Sequence, residues 1–145
     1  MPHYTHTEQV NAAPADIFAI LEDTDRTPEW LKRCTKIDRL EDGPTREGLP
    51  LRYHYQDGKR TGEMAGTVSA FEPGRHMTMS FTDKITDVSV DFVTADGPTP
   101  GTTTLTHTID IKTKGIGKMF TPMINKALPK QTLSAMANLK ALAES

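Results

Sequence analysis

One histidine interrupts an apolar alternation. In Leu105-Thr106-His107-Thr108-Ile109-Asp110-Ile111, every second residue is apolar except His107. On a strand those residues share one face, so the imidazole is carried to the covered side, where a polar group needs partners. Tyr53 and Tyr55 share a face two residues apart in Leu49–Gln56 and can supply a hydroxyl. A histidine so placed either rests as a satisfied core residue, binds a ligand carbonyl, or transfers a proton near neutral pH. His107, Tyr53 and Tyr55 are therefore the candidate acid/base residues.

Other chemistries find little support. His3 and His6 face opposite sides of a strand, and no cysteine or carboxylate cluster completes a metal site. Cys34 is the only cysteine, so an intramolecular disulfide is excluded, and with no base beside it the thiol reads as buried and structural. Gly115-Ile116-Gly117-Lys118 lacks the rest of a phosphate-loop pattern. Arg39 and Arg52 are conceivable cavity cations but read better as surface residues. No cofactor is expected.

The elements that position these groups follow from periodicity. Tyr4–Val10 predicts a strand with Tyr4, His6, Glu8 and Val10 on one face. Pro14 opens a helix whose apolar side is Ile17, Phe18, Ile20 and Leu21, and Thr27-Pro28-Glu29-Trp30 starts a second, short helix. From Lys36 the period is two: strands are predicted over 36–41, 49–56, 61–71, 76–82, 86–93 and 102–111, punctuated by Asp57-Gly58, Pro73-Gly74 and the 96–101 loop. In the third of these, Met64, Gly66, Val68 and Ala70 are expected on one side. Apolar-in, polar-out alternation means an antiparallel sheet with one covered face.

From Gly115 the spacing is helical: Ile116, Met119, Phe120, Met123, Ile124, Ala127 and Leu128, then Ala135, Met136, Leu139 and Leu142. Pro122 and Pro129 predict a break, with one segment over 115–128 and another over 129–143. The fold expected is α+β: a curved antiparallel seven-stranded sheet, two short helices and a long C-terminal helix, in the order β-α-α-β6-α.

The inward residues predict a pocket between sheet and helix. Tyr53, Tyr55, Met64, Met77, Met79, Phe81, Val88, Val90, Phe92, Leu105, His107 and Ile109 line the sheet side, and Met119, Phe120 and Met123 the helix side. Each alone suits a dry core. Together, on a curved sheet over one helix, they suit a gap that holds a small apolar ligand. Five of them are methionines, whose flexibility fits varied apolar ligands and equally fits gap-filling. Lys112, Lys114 and Lys118 form a positive edge near the pocket end, attractive to an anionic ligand tail.

The 145 residues suit one domain spanning the whole chain. The formal charge of −2 leaves no basic excess for a phosphate backbone, so nucleic acid is not an expected partner. A polar N-terminus and the lack of a long apolar run predict a cytoplasmic protein without membrane insertion.

This pattern resembles the START-like, or SRPBCC, superfamily with its helix-grip fold, over essentially the whole chain. The similar segments are Val10-Asn11-Ala12-Ala13-Pro14-Ala15-Asp16-Ile17-Phe18-Ala19-Ile20-Leu21-Glu22-Asp23 (strand-to-helix entry), Pro28-Glu29-Trp30 (second-helix tryptophan), Gly43-Pro44-Thr45-Arg46-Glu47-Gly48 (glycine-bearing hairpin) and Gly66-Thr67-Val68-Ser69-Ala70-Phe71-Glu72-Pro73. The hairpin is less glycine-rich than in the birch-pollen-allergen branch, and the chain looks most like the bacterial polyketide cyclase/dehydrase group. The resemblance implies binding or transport of a small hydrophobic or amphipathic molecule of lipid, polyketide or isoprenoid type. It leaves open a cyclase or dehydratase using cavity His and Tyr, and a chaperone-activator-like module with a protein partner or a homodimer. The outward Thr, Asp and Lys residues speak mildly against the last.

Overall fold

The computed structural model describes residues 2–145. Its elements are β1 (His3–Val10), α1 (Pro14–Glu22), a 3-10 turn (Thr24–Arg26), α2 (Thr27–Trp30), β2 (Cys34–Arg39), β3 (Pro50–Asp57), β4 (Arg60–Glu72), β5 (His76–Thr82), β6 (Thr86–Asp96), β7 (Thr103–Thr113), a second 3-10 turn, η (Gly115–Phe120), and α3 (Thr121–Glu144). The strands form one antiparallel sheet in the order β1-β7-β6-β5-β4-β3-β2. The first strand thus returns to pair with the last, and α3 crosses the inner face. This is the expected helix-grip arrangement.

Two bulges bend the sheet, one between Cys34 and Lys36 and one between Val68 and Ala70. A bulge adds one residue to a strand and reverses the side-chain alternation beyond it. Ala70 therefore pairs with outward Thr78, and Phe71 pairs with inward Met77 and packs on Phe18. The expectation that Ala70 follows Val68 inward is corrected on this ground.

β4 carries Gly62 and Gly66 at inward positions. A Cβ at Gly62 would collide with the Tyr55 ring, and one at Gly66 with the Phe81 ring. The missing side chains let aromatic rings from β3 and β5 lie flat across the central strand.

The long helix departs from expectation in two ways. Pro129 lies inside α3, which runs unbroken. The carbonyl its missing N–H leaves unpaired belongs to Asn125, an exposed residue that water can reach. At the other end, the chain enters α3 through η, whose buried residue is Gly117, packed so closely on Ile85 that no side chain fits. With Gly117 facing in, Ile116 and Met119 face out.

α3 packs chiefly on β1, α1 and α2. Its buried side is Leu128, Thr132, Ala135, Met136 and Leu139, and the Asn138 amide donates to the Trp30 carbonyl at 3.2 Å. Val10, Phe18, Leu49, Leu105, Phe92 and Met77 complete a dry core beneath it.

Candidate functional site

The strand registers sort the inward residues into rows. One row joins Leu51, Gly66, Phe81, Val88 and Ile111. The next joins Val68, Met79, Val90, Ile109 and Tyr4, and a third joins Phe71, Met77, Phe92, His107 and His6. The third row lies in the core: Met77 and Phe92 are at most 1 % exposed and His107 is 5 % exposed. Toward η the inner face opens, and Val88, Val90 and Ile109 are half-buried although they point inward. At that end the Arg60 guanidinium lies 5.8 Å from the Phe120 ring.

Aromatic rings cover the inner face beside these residues. Tyr53 is 5.1 Å from Phe81 and 6.1 Å from Tyr55, and the Arg33 guanidinium covers Tyr55 at 4.5 Å. Burial, then the neighbouring Cys34, pushes the Tyr53 phenol well above its ordinary pKa, so it is a protonated donor at neutral pH. Neither Tyr53 nor Tyr55 donates its hydroxyl to another described residue. Cys34 is buried and its thiol is pushed up to about 11, which keeps it inert as the sequence suggests.

His107 does not meet a tyrosine. Its Nδ1 lies 3.2 Å from the Asp91 carbonyl oxygen, so Nδ1 carries the proton and Nε2 is left as an acceptor. The ring stacks on Phe92 at 4.4 Å, and Phe92 meets Trp30 edge-on at 5.9 Å. The expected His–Tyr contact is corrected: the tyrosines stand on β3, four strands away from β7 in the sheet order. Met119 and Met123, expected to line the helix side, are 79 % and 59 % exposed because η turns them outward. Phe120 alone of that trio is half-buried, with Arg60 over its ring. Arg52 is exposed, and Arg39 is spent on Thr45 Oγ1 and the Gly43 carbonyl.

Three groups stand at the site that the sequence reading did not single out. Trp30 Nε1 is the one buried side-chain polar atom without a partner among the described residues. His6 faces His107 across the β1–β7 ladder and lies 2.7 Å from Glu8. Lys140 of α3 approaches Glu8 at 3.7 Å. The alternation Tyr4, His6, Glu8 on an edge strand was the available signal for the second and third.

Two other recesses differ sharply in size. An open groove of about 500 Å³ runs over the outer face of the sheet, among Thr67, Ser80, Thr82, Asp87, Ser89 and Asp110. Several of its polar groups are engaged: Thr82 and Lys114 both donate to Asp87, Ser80 bonds Ser69, and His3 bonds Asp110. Between α1 and the sheet, the void beside Glu22 and Arg39 is about 10 Å³, room for at most one water.

Desolvation lowers the His107 pKa from 6.5 to about 4, outweighing the Asp91 carbonyl bond that raises it. At neutral pH the imidazole is uncharged. The unfolded chain binds this proton near pH 6.5 and the folded chain only near 4. Stability from this group is therefore complete above 6.5 and is lost as pH falls through 4. The loss amounts to about 3 kcal/mol. Denaturant titrations from pH 7 to 4 should show that loss in the parent and a flatter profile in His107→Gln. Asp38 and Asp87, whose pKa values are lowered by hydrogen bonds from His54 and Thr82, act below 3.8, outside this window, whereas burial raises Glu22 above 4.5 and gives a background that the parent and His107→Gln share.

The sequence pattern of the family described as "Polyketide cyclase / dehydrase and lipid transport" matches residues 1–144. No curated protein matches the sequence. Among solved structures, the chain is similar to the ZhuI aromatase/cyclase from Streptomyces sp. R1128 (TM-score 0.80, 16 % identity, 98 % of this chain and 93 % of that one). It is also similar to a START superfamily protein from Mycobacterium smegmatis (0.77, 17 %, 98 % and 97 %) and to Ara h 8.0201 (0.73, 12 %, 97 % and 96 %). At these identities the likeness is one of fold.

Proposed function

Because the chain belongs to the polyketide cyclase/dehydrase and lipid transport family, we propose that it binds a small, flat, amphipathic molecule of lipid, polyketide or isoprenoid type in a cleft on the inner face, at the end nearest η. The apolar body lies on Tyr53, Phe81, Val90 and Ile109, and its oxygens accept from the Tyr53 and Tyr55 hydroxyls. The observation that carries this reading is the pairing of inward apolar side chains that water still reaches with phenols that make no hydrogen bond among the described residues. Pockets of this kind combine an apolar lining with a few polar groups that fix orientation.

Trp30 is the only tryptophan, so its emission reports on the inner face without labelling. Titration with anilinonaphthalene sulfonate and with a long-chain fatty acid should give saturable, one-to-one changes in Trp30 emission, and the fatty acid should displace the dye. Linear, unsaturable changes with both probes would count against the reading.

A cyclase reading finds its support in His107 Nε2, an acceptor held in one tautomer by Asp91. A base of pKa about 4 is poorly matched to proton abstraction at pH 7. Binding is therefore favoured over proton transfer by this group. A ketide substrate turned over equally by the parent and His107→Gln would remove the histidine from any such mechanism.

A further inference from the structure

The charges are segregated along the chain. Residues 111–143 contain Lys112, Lys114, Lys118, Lys126, Lys130 and Lys140 and no carboxylate, which leaves eleven basic against nineteen acidic residues elsewhere. In the same stretch, Ile116, Met119 and Met123 are 73 %, 79 % and 59 % exposed. They are not scattered. Ile116 and Met119 stand three apart on a 3-10 turn and align. Met123, Lys126 and Lys130 continue at helical spacing along one side of α3.

Lys84 joins them from the β5–β6 turn, because η is pinned to that turn: the Lys114 N–H donates to the Ile85 carbonyl, and Gly117 packs on Ile85. Among the described residues, Lys84, Lys118, Lys126 and Lys130 make no ion pair, whereas Lys114 is paired with Asp87 and Lys140 with Glu8 and Glu144. The nearby carboxylates are engaged: Asp83 accepts from the Ile85 and Thr86 N–H groups, and Asp87 from Thr82 and Lys114.

We propose that η and the first turns of α3 dock on an anionic lipid bilayer. Ile116, Met119 and Met123 enter the headgroup boundary, and Lys84, Lys118, Lys126 and Lys130 meet the lipid phosphates. An apolar strip flanked by unpaired lysines fits a surface that offers both acyl chains and negative charge. The contact is peripheral, since no helix of the described residues is long and apolar enough to cross a membrane. Docking there would set the mouth of the cleft, marked by Phe120, against the bilayer. The proposal rests on this surface alone and holds whatever the cleft takes.

Flotation with vesicles tests it. The full chain should partition at least about tenfold more strongly onto phosphatidylcholine–phosphatidylglycerol vesicles than onto phosphatidylcholine alone, and molar salt should abolish the difference. Met119→Asp, and separately Lys118→Glu with Lys126→Glu, should each lose the binding. Both should keep the parent's thermal melt and its response to the dye, because these side chains are exposed and outside the cleft. Equal partition onto both vesicles, no partition onto either, or variants that float as the parent does would overturn the proposal. So would a dimer in sedimentation equilibrium that Met119→Asp abolishes, which would assign the strip to a second copy of the chain.

Discussion

Phe92→Ala lowers stability by about 3–5 kcal/mol, the range for deleting a fully buried aromatic ring. Phe92 is 0 % exposed and links two other rings, with Trp30 against its edge and His107 against its face. Removing it leaves a cavity and takes away the surface that holds the imidazole over the Asp91 carbonyl. For a domain of this size the melting temperature should fall by roughly 10 °C or more. Thermal unfolding followed by circular dichroism measures this directly. A loss below about 1 kcal/mol, typical of partly exposed positions, would mean the row of Met77, Phe92 and His107 is not the packed core.

Val90→Trp has the largest expected effect on binding. Val90 is inward yet half-buried, between Met79 on β5 and Ile109 on β7. An indole there would fill the space the proposed ligand needs. Ligand affinity should drop at least about tenfold, equivalent to 1.4 kcal/mol or more. Stability should change by less than about 1 kcal/mol, because Val90 packs on the core on one side only and the added ring has a water-reached side to occupy. The combination matters. A variant that loses both binding and stability has overpacked a dry interior, and one that keeps both shows that the ligand sits elsewhere. Isothermal titration with the fatty acid and a urea melt separate these outcomes.

The fold was readable because its alternations are long and its turns are marked. His76–Thr82 was bounded to the residue, and the other strands missed by one to three residues at their ends, where pairing rather than side-chain pattern decides the limit. What escaped was whatever depends on a single backbone irregularity. The bulge after Val68 exchanges Ala70 for Phe71 in the core, and no side-chain pattern marks it. Likewise Ile116, Met119 and Met123 fit a helical stripe, but Gly117 against Ile85 turns that stripe to solvent. A glycine has no side chain to announce that it faces inward.

The candidate site divides in the same way. Alternation placed every sheet residue of the set on the inner face. It could not tell which of them α3 covers, since that depends on where the helix lies rather than on the strands. Met77, Met79, Phe92, Leu105 and His107 are buried in the core, while Val88, Val90 and Ile109 border the opening. The tyrosines and the histidine share a face but stand on strands too far apart to touch. Trp30, read only as part of the second helix, also brings an indole N–H that finds no acceptor among the described residues.

Methyl-resolved NMR of the protein titrated with the fatty acid puts the central claim to its sharpest trial. Val88, Val90 and Ile109 methyl signals should shift saturably together, while those of Leu105, Leu139 and Val10 stay in place. Saturable shifts confined to the outer-face threonines, or an inner face that never responds, would contradict the account.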